Sequence, residues 1–139
     1  MIKHLTHMRY HKALGLLVLR LATGLVFLNH GWSKLAGLAG ARGFFSSLGL
    51  PAETATLIAV VEVVGGLMLI LGVAPRIAGL VLGAEMIAAM ILVGLPASDW
   101  MVLFAKPGSV EIELVLAAAA LAIFAVGGGR YAIYSAERD

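Results

Sequence analysis

The chain has 139 residues, 61% of them hydrophobic and only 13% charged, with a mean hydropathy of +1.01. Soluble domains carry about 25% charged residues, so the composition excludes a soluble fold, and the net charge of +2 is no sign of nucleic acid because the basic residues gather at the ends of apolar runs. With no cysteine, a disulfide, a thiolate nucleophile and a CxxC redox pair are all excluded, and any electron chemistry needs a bound cofactor.

A helix crosses a bilayer with about 20 mostly apolar residues. Four windows meet that need, at about 12–30, 54–73, 77–95 and 110–127. The predicted fold is all-α, an integral membrane four-helix bundle over residues 1–139 as a single domain, with a short interfacial helix in the first loop. Ahead of the first span, His4, His7 and His11 would share a helical face, but no carboxylate or cysteine accompanies them. They are weak metal candidates beside a basic interfacial anchor, and no metal is expected. Met1 to Leu28 has the basic-then-apolar order of a signal peptide. The run is too long for one, contains Arg20, and lies far from the small triplet Ala39, Gly40, Ala41, so it is read as a retained first span.

The first loop, Gly31 to Ala52, holds Trp32, Phe44, Phe45 and the turn-forming Gly49, Leu50, Pro51. Aromatic residues collect at membrane interfaces, which predicts a short surface helix over 41–48 acting as an anchor, with a lid over a ligand as the alternative. In the second span Gly65 and Gly66 mark a close helix contact. Gly79 and Gly83 in the third form a GxxxG pattern that suits the bundle interior or a homodimer seam. Met86 and Met90 flank Glu85 as adaptable packing. The third loop, Pro96 to Ser109, carries Asp99, Trp100, Lys106 and Pro107, an expected outer anchor. Glu111 and Glu113 open the last span, where the helix dipole favours carboxylates, and Glu113 becomes a site candidate if it points inward.

Charges within spans are costly and are kept where they face a partner, a cavity or a ligand. If the first span ends near His30, Arg20 lies roughly 15 Å below that end, at about the depth of Glu62 and Glu85. One cation and two carboxylates would then share a layer, with His30, Lys34, Glu111 and Glu113 forming a polar mouth above. The candidates for ligand binding or proton exchange are Arg20, His30, Lys34, Glu62, Glu85 and Glu113, and no catalytic residue is assigned. The basic residues Lys3, Arg9, Lys12, Arg76, Arg130 and Arg138 fall on one side and Lys34, Arg42 and Lys106 on the other. The positive-inside rule predicts both termini in the cytoplasm and a multi-pass protein of the inner (plasma) membrane.

Arg20, Leu21, Gly24, Phe27, His30, Gly31, Lys34 and Leu35 resemble the opening motif of the DoxX family. Gly43, Phe44, Phe45 and the run Leu48 to Pro51 resemble its first loop. Glu62, Gly65, Gly66, Leu71, Gly72 and Arg76 resemble its second helix, and Glu113, Gly127, Gly129, Arg130 and Tyr131 its fourth helix and tail. The resemblance covers about residues 14–134. Glu85 lies outside the pattern, and Gly127 to Gly129 stand where a proline is expected among them.

The resemblance implies a small four-helix inner-membrane protein with a loose link to quinone-dependent oxidoreductases. The leading expectation is therefore a redox-associated subunit that binds a quinone-like ligand, with Arg20 and His30 donating to a carbonyl and Glu62 exchanging the proton. A small transporter or export component and a non-catalytic membrane assembly partner are the alternatives. Expected partners are membrane lipid and a redox enzyme, and not nucleic acid.

Overall fold

The computed structural model describes residues 3–94 and 110–134 and is helical throughout. Among the described residues the α-helices are α1 (Lys3–Ala36), α2 (Leu38–Ser47), α3 (Glu53–Leu71), α4 (Pro75–Ala89), which runs on into a π-helical turn (Met90–Gly94), and α5 (Glu111–Val126). Among the described residues there is no strand, only an isolated bridge between Val73 and Tyr134. The third-loop residues Asp99, Trp100, Lys106 and Pro107, the side chains of His4 and His7, and Arg138 all lie outside the described residues. His11 is described, and its side chain is exposed.

Among the described residues three segments are long and apolar enough to cross a membrane, His11–Ala36, Glu53–Leu71 and Pro75–Gly94. They coincide with the first three predicted spans. The fourth window forms α5, whose 16 residues rise only about 24 Å at 1.5 Å each, short of a hydrocarbon core about 30 Å thick. The expected surface segment is a separate helix, α2, with no buried residue. Phe44 and Phe45 on it meet edge to face.

Small residues set the packing. A Cβ on Gly24 would stand 2.7 Å from the carbonyl oxygen of Gly66, and one on Gly31 would stand 2.6 Å from that of Ala59. Residue numbers rise along α1 as they fall along α3, so the two helices are antiparallel and nearly in backbone contact. The same device joins α4 to α5. A Cβ on Gly79 would stand 2.5 Å from the Ala120 carbonyl oxygen, and Gly83 faces Leu121. The Gly79 and Gly83 face is thus occupied within the chain, and the homodimer seam expected there is not available. Gly65 of α3 receives Leu82 of α4 and links the two pairs.

The core runs along this junction through Phe27, Leu69, Leu82, Met86, Ala120 and Ile123. Leu25, Val64, Leu67, Ile77 and Val115 point outward as a lipid-facing surface.

The link between α3 and α4 is tight. Gly72 closes α3 in the left-handed region (φ 72°), and Pro75 opens α4 at a position where its missing N–H costs nothing. Residues after α5 fold back onto this turn: Tyr134 N–H donates to the Gly72 carbonyl and Ala74 N–H donates to that of Tyr134.

Candidate functional site

Arg20 is 1% exposed, yet no carboxylate among the described residues meets it. Its Nε donates to the Leu69 carbonyl at 2.8 Å and Nη1 to that of Gly128 at 2.5 Å. Nη2 donates to Tyr131 at 3.3 Å and, at the limit, to Ile70 at 3.5 Å. Leu69 and Ile70 sit in the last turn of α3, where carbonyls lack helical partners and the dipole favours a cation. Arg20 therefore closes the end of α3 and ties the tail to it. Arg76 acts alike at the same end, its Nη1 donating to the Phe124 and Ala125 carbonyls at the end of α5 at 2.8 and 2.9 Å.

The expected layer of Arg20 with Glu62 and Glu85 is not formed. Because α1 continues to Ala36 instead of ending near His30, Arg20 lies sixteen residues, about 24 Å, below the helix end. Glu62 sits at the midpoint of α3, seven residues or about 10 Å along that helix from the Leu69 carbonyl that Arg20 holds.

The extra turns of α1 carry Lys34 into the role expected of Arg20. Its Nζ donates to Glu62 Oε2 at 2.5 Å, with the lysine side chain 28% exposed and the glutamate fully buried. Long basic side chains bury their stems and keep their heads nearer water. That lets Lys34 reach down from a higher turn while Glu62 stays deep. Glu85, on α4, comes within hydrogen-bonding reach of Glu62 and feels the charge of Lys34. Two carboxyl groups form a hydrogen bond only with a proton between them.

These groups open onto one cavity of about 910 Å³, bounded by the upper end of α1, by α2, α3, α4 and its π turn, and by α5. His30, Lys34, Glu62, Glu85 and Glu113 all stand on its wall, and of the six sequence candidates only Arg20 does not. Glu113, from the first turn of α5, does point inward. Glu111 is exposed at the helix start, consistent with its expected dipole role. Apart from Thr54 the rest of the described wall is apolar, with Phe44, Phe45, Leu57, Ile58, Val81 and Leu92 prominent. Several of these, including Leu57, Val81 and Leu92, are also among the outward-facing residues, so the cavity opens sideways toward the apolar surround.

Three buried carboxyl oxygens in this cavity have no hydrogen-bond partner, namely Glu62 Oε1, Glu85 Oε2 and Glu113 Oε2. Native interiors satisfy nearly all such atoms. The exceptions concentrate here. The aromatic pair of α2, expected as a surface anchor with a ligand lid as the alternative, stands on the cavity wall, and the π turn of α4 beside it has no counterpart in the sequence reading. The signal for the first was the Phe44–Phe45 dipeptide in a loop, while the second follows from local hydrogen bonding that no single residue announces.

A family model described as DoxX matches residues 15–95, more than half of the chain. The chain belongs to the DoxX family. The DoxX match takes in α1 to α4, and with them His30, Lys34, Glu62 and Glu85; α5 and Glu113 lie beyond it. The chain is 43% identical over 84 residues to a Bacillus subtilis (strain 168) protein named "Putative oxidoreductase CatD", covering 60% of this chain and 63% of that one. It is 32% identical over 62 residues to "Inner membrane protein YqjF" of Escherichia coli (strain K12), covering 45% of this chain and 48% of that one. The aligned parts thus span less than two thirds of either relative's length. No solved structure matches the chain significantly. Family, apolar helices and an inner-membrane relative together make this a membrane protein.

Proposed function

We propose that this DoxX-family protein binds the head group of a quinone-like, lipid-soluble redox molecule in the cavity between α2, α3, α4 and α5, as a redox-associated subunit of the inner membrane. The observation that carries this reading is the set of three buried, unpartnered carboxyl oxygens on the wall of an otherwise apolar cavity. Burying a polar group without a partner costs about 1–3 kcal/mol, a cost that a head group able to donate a hydrogen bond to these oxygens would remove. The sideways opening suits a molecule that arrives through the bilayer, and an apolar wall with few polar groups suits a ring with oxygens at its edge. In this reading Lys34 and His30 orient the head group and Glu62 with Glu85 exchanges its proton, which is how protein groups assist such a cofactor. Arg20 no longer belongs to the site, its donors being engaged elsewhere.

The redox link draws on the oxidoreductase name of the Bacillus relative. With no cysteine in this chain, thiol chemistry cannot carry the electrons, which in this reading pass between the bound molecule and a partner enzyme. We place the four helical windows as a bundle with α2 on the outer surface and both termini in the cytoplasm, following the distribution of Lys and Arg. Against a through-going transport path stands the core beneath the carboxyl groups. Leu69, Leu82 and Ile123 are fully buried there, which makes the cavity a dead end.

The test is mass spectrometry of small molecules that co-purify in native lipid discs, comparing wild type with folded Glu62→Gln and Glu113→Gln variants. A quinone-type molecule, counted in its oxidised and reduced forms together, enriched in wild type and depleted in both variants is the expected result. Equal quinone content in all three, at the level of the surrounding lipid, would overturn the reading.

A further inference from the structure

We infer that the cavity selects the reduced, hydroxyl-bearing hydroquinone over the oxidised quinone. This rests on the reading of the cavity as a quinone-type site and adds which redox form it holds.

The argument is one of donors and acceptors. A quinone offers only carbonyl oxygens, which accept, whereas a hydroquinone offers two O–H groups, which donate. Among the described residues of the cavity wall the side-chain donors are Lys34, His30 and the Thr54 hydroxyl, all partly exposed, and Lys34 already donates to Glu62. The groups that are buried and lack any partner are all carboxyl oxygens, on Glu62, Glu85 and Glu113. Glu62 is fully buried, with its free Oε1 in a group that faces the cavity. A proton shared between Glu62 and Glu85 would serve those two, yet Glu113 Oε2 would still lack a donor, and each carboxylate oxygen has room for more than one. A quinone carbonyl set against these oxygens would place acceptor against acceptor in a site with little water to intervene. The hydroquinone removes the mismatch by donating.

The bilayer supplies the rest of the fit. The ring and tail meet Phe44, Leu57, Val81 and Leu92 at the lateral opening, which treat both redox forms alike. Discrimination therefore falls on the carboxyl groups. One hydrogen bond to a charged acceptor corresponds to a preference of about tenfold or more. A tenfold preference for the reduced form raises the midpoint potential of the bound two-electron couple by about 30 mV.

The experiment titrates the full chain in lipid discs, without oxygen, with decylubiquinone and separately with decylubiquinol, and repeats both with Glu113→Gln and Glu62→Gln. Glutamine replaces a pure acceptor by a group that also donates, so both variants should lose selectivity. Glu113→Gln leaves the Lys34 to Glu62 ion pair in place and serves as the informative variant if Glu62→Gln does not fold. Tighter binding of the quinol by about tenfold in wild type, reduced in Glu113→Gln, is the expected result. Equal affinity, or tighter binding of the quinone, overturns the inference while leaving the quinone-type site standing. Failure of folded wild type to bind either form overturns both.

Discussion

Two buried polar regions lie in this bundle and differ in how their hydrogen bonds are completed. Around Arg20, a buried cation is matched entirely by backbone carbonyls from the end of α3 and from the tail. Around Glu62, a buried carboxylate has one basic partner, a neighbouring carboxyl group, and oxygens with no partner, all on a cavity wall. The first region resembles a finished joint. The second is incomplete until something enters it. In an apolar bilayer both are costly to build, but only the second leaves chemistry unspent, and so an intramembrane charge alone does not identify a functional site.

The largest effect expected from breaking this contrast is Arg20→Ala. It strands several carbonyls among apolar side chains, each costing several kcal/mol in the absence of water. Folded protein recovered in mild detergent should fall sharply. Next comes Gly24→Val, which drives a side chain into the Gly66 carbonyl across the α1 and α3 seam. A destabilisation of about 1–3 kcal/mol is expected, read as a lower thermal midpoint. Arg76→Gln should cost about 1 kcal/mol, because it removes the donors to Phe124 and Ala125 at a less buried position. The smallest stability effect should come from Glu62→Gln. The amide keeps the shape, and the partly exposed Lys34 can turn outward, so the midpoint should move by less than the Arg76→Gln change. Ligand affinity orders the same substitutions the other way, with Glu62→Gln losing about tenfold or more through one lost charged hydrogen bond and Arg76→Gln losing none.

The positions of α1, α3 and α4 were legible because runs of apolar residues of spanning length leave few alternatives. The residues of the cavity were legible too. His30, Lys34, Glu62, Glu85 and Glu113 stand out as costly charges in apolar surroundings, and they meet. Their pairing was not legible. Depth counting needs the end of a helix, and α1 passes His30 without a break because nothing from Gly31 to Ala36 obliges it to stop. Six further residues, about 9 Å of rise, exchange Arg20 for Lys34 as the partner of Glu62. Nor does sequence show that an arginine will be satisfied by carbonyls, since the chain segments involved lie about fifty and more than one hundred residues away. The Gly79 and Gly83 pattern shows a similar ambiguity, as small residues announce a close neighbour without saying whether it comes from the same chain.

The most direct test of the central claim, that the carboxyl cavity and not the Arg20 joint holds the ligand, measures thermal midpoint and decylubiquinol affinity together for wild type, Arg20→Lys and Glu62→Gln in lipid discs. Lysine lacks the planar fork that lets Arg20 reach several carbonyls, so Arg20→Lys should lower the midpoint while its folded fraction binds as wild type does. Glu62→Gln should keep its midpoint and lose affinity. The reverse pattern, with affinity following Arg20 and indifferent to Glu62, would contradict the account.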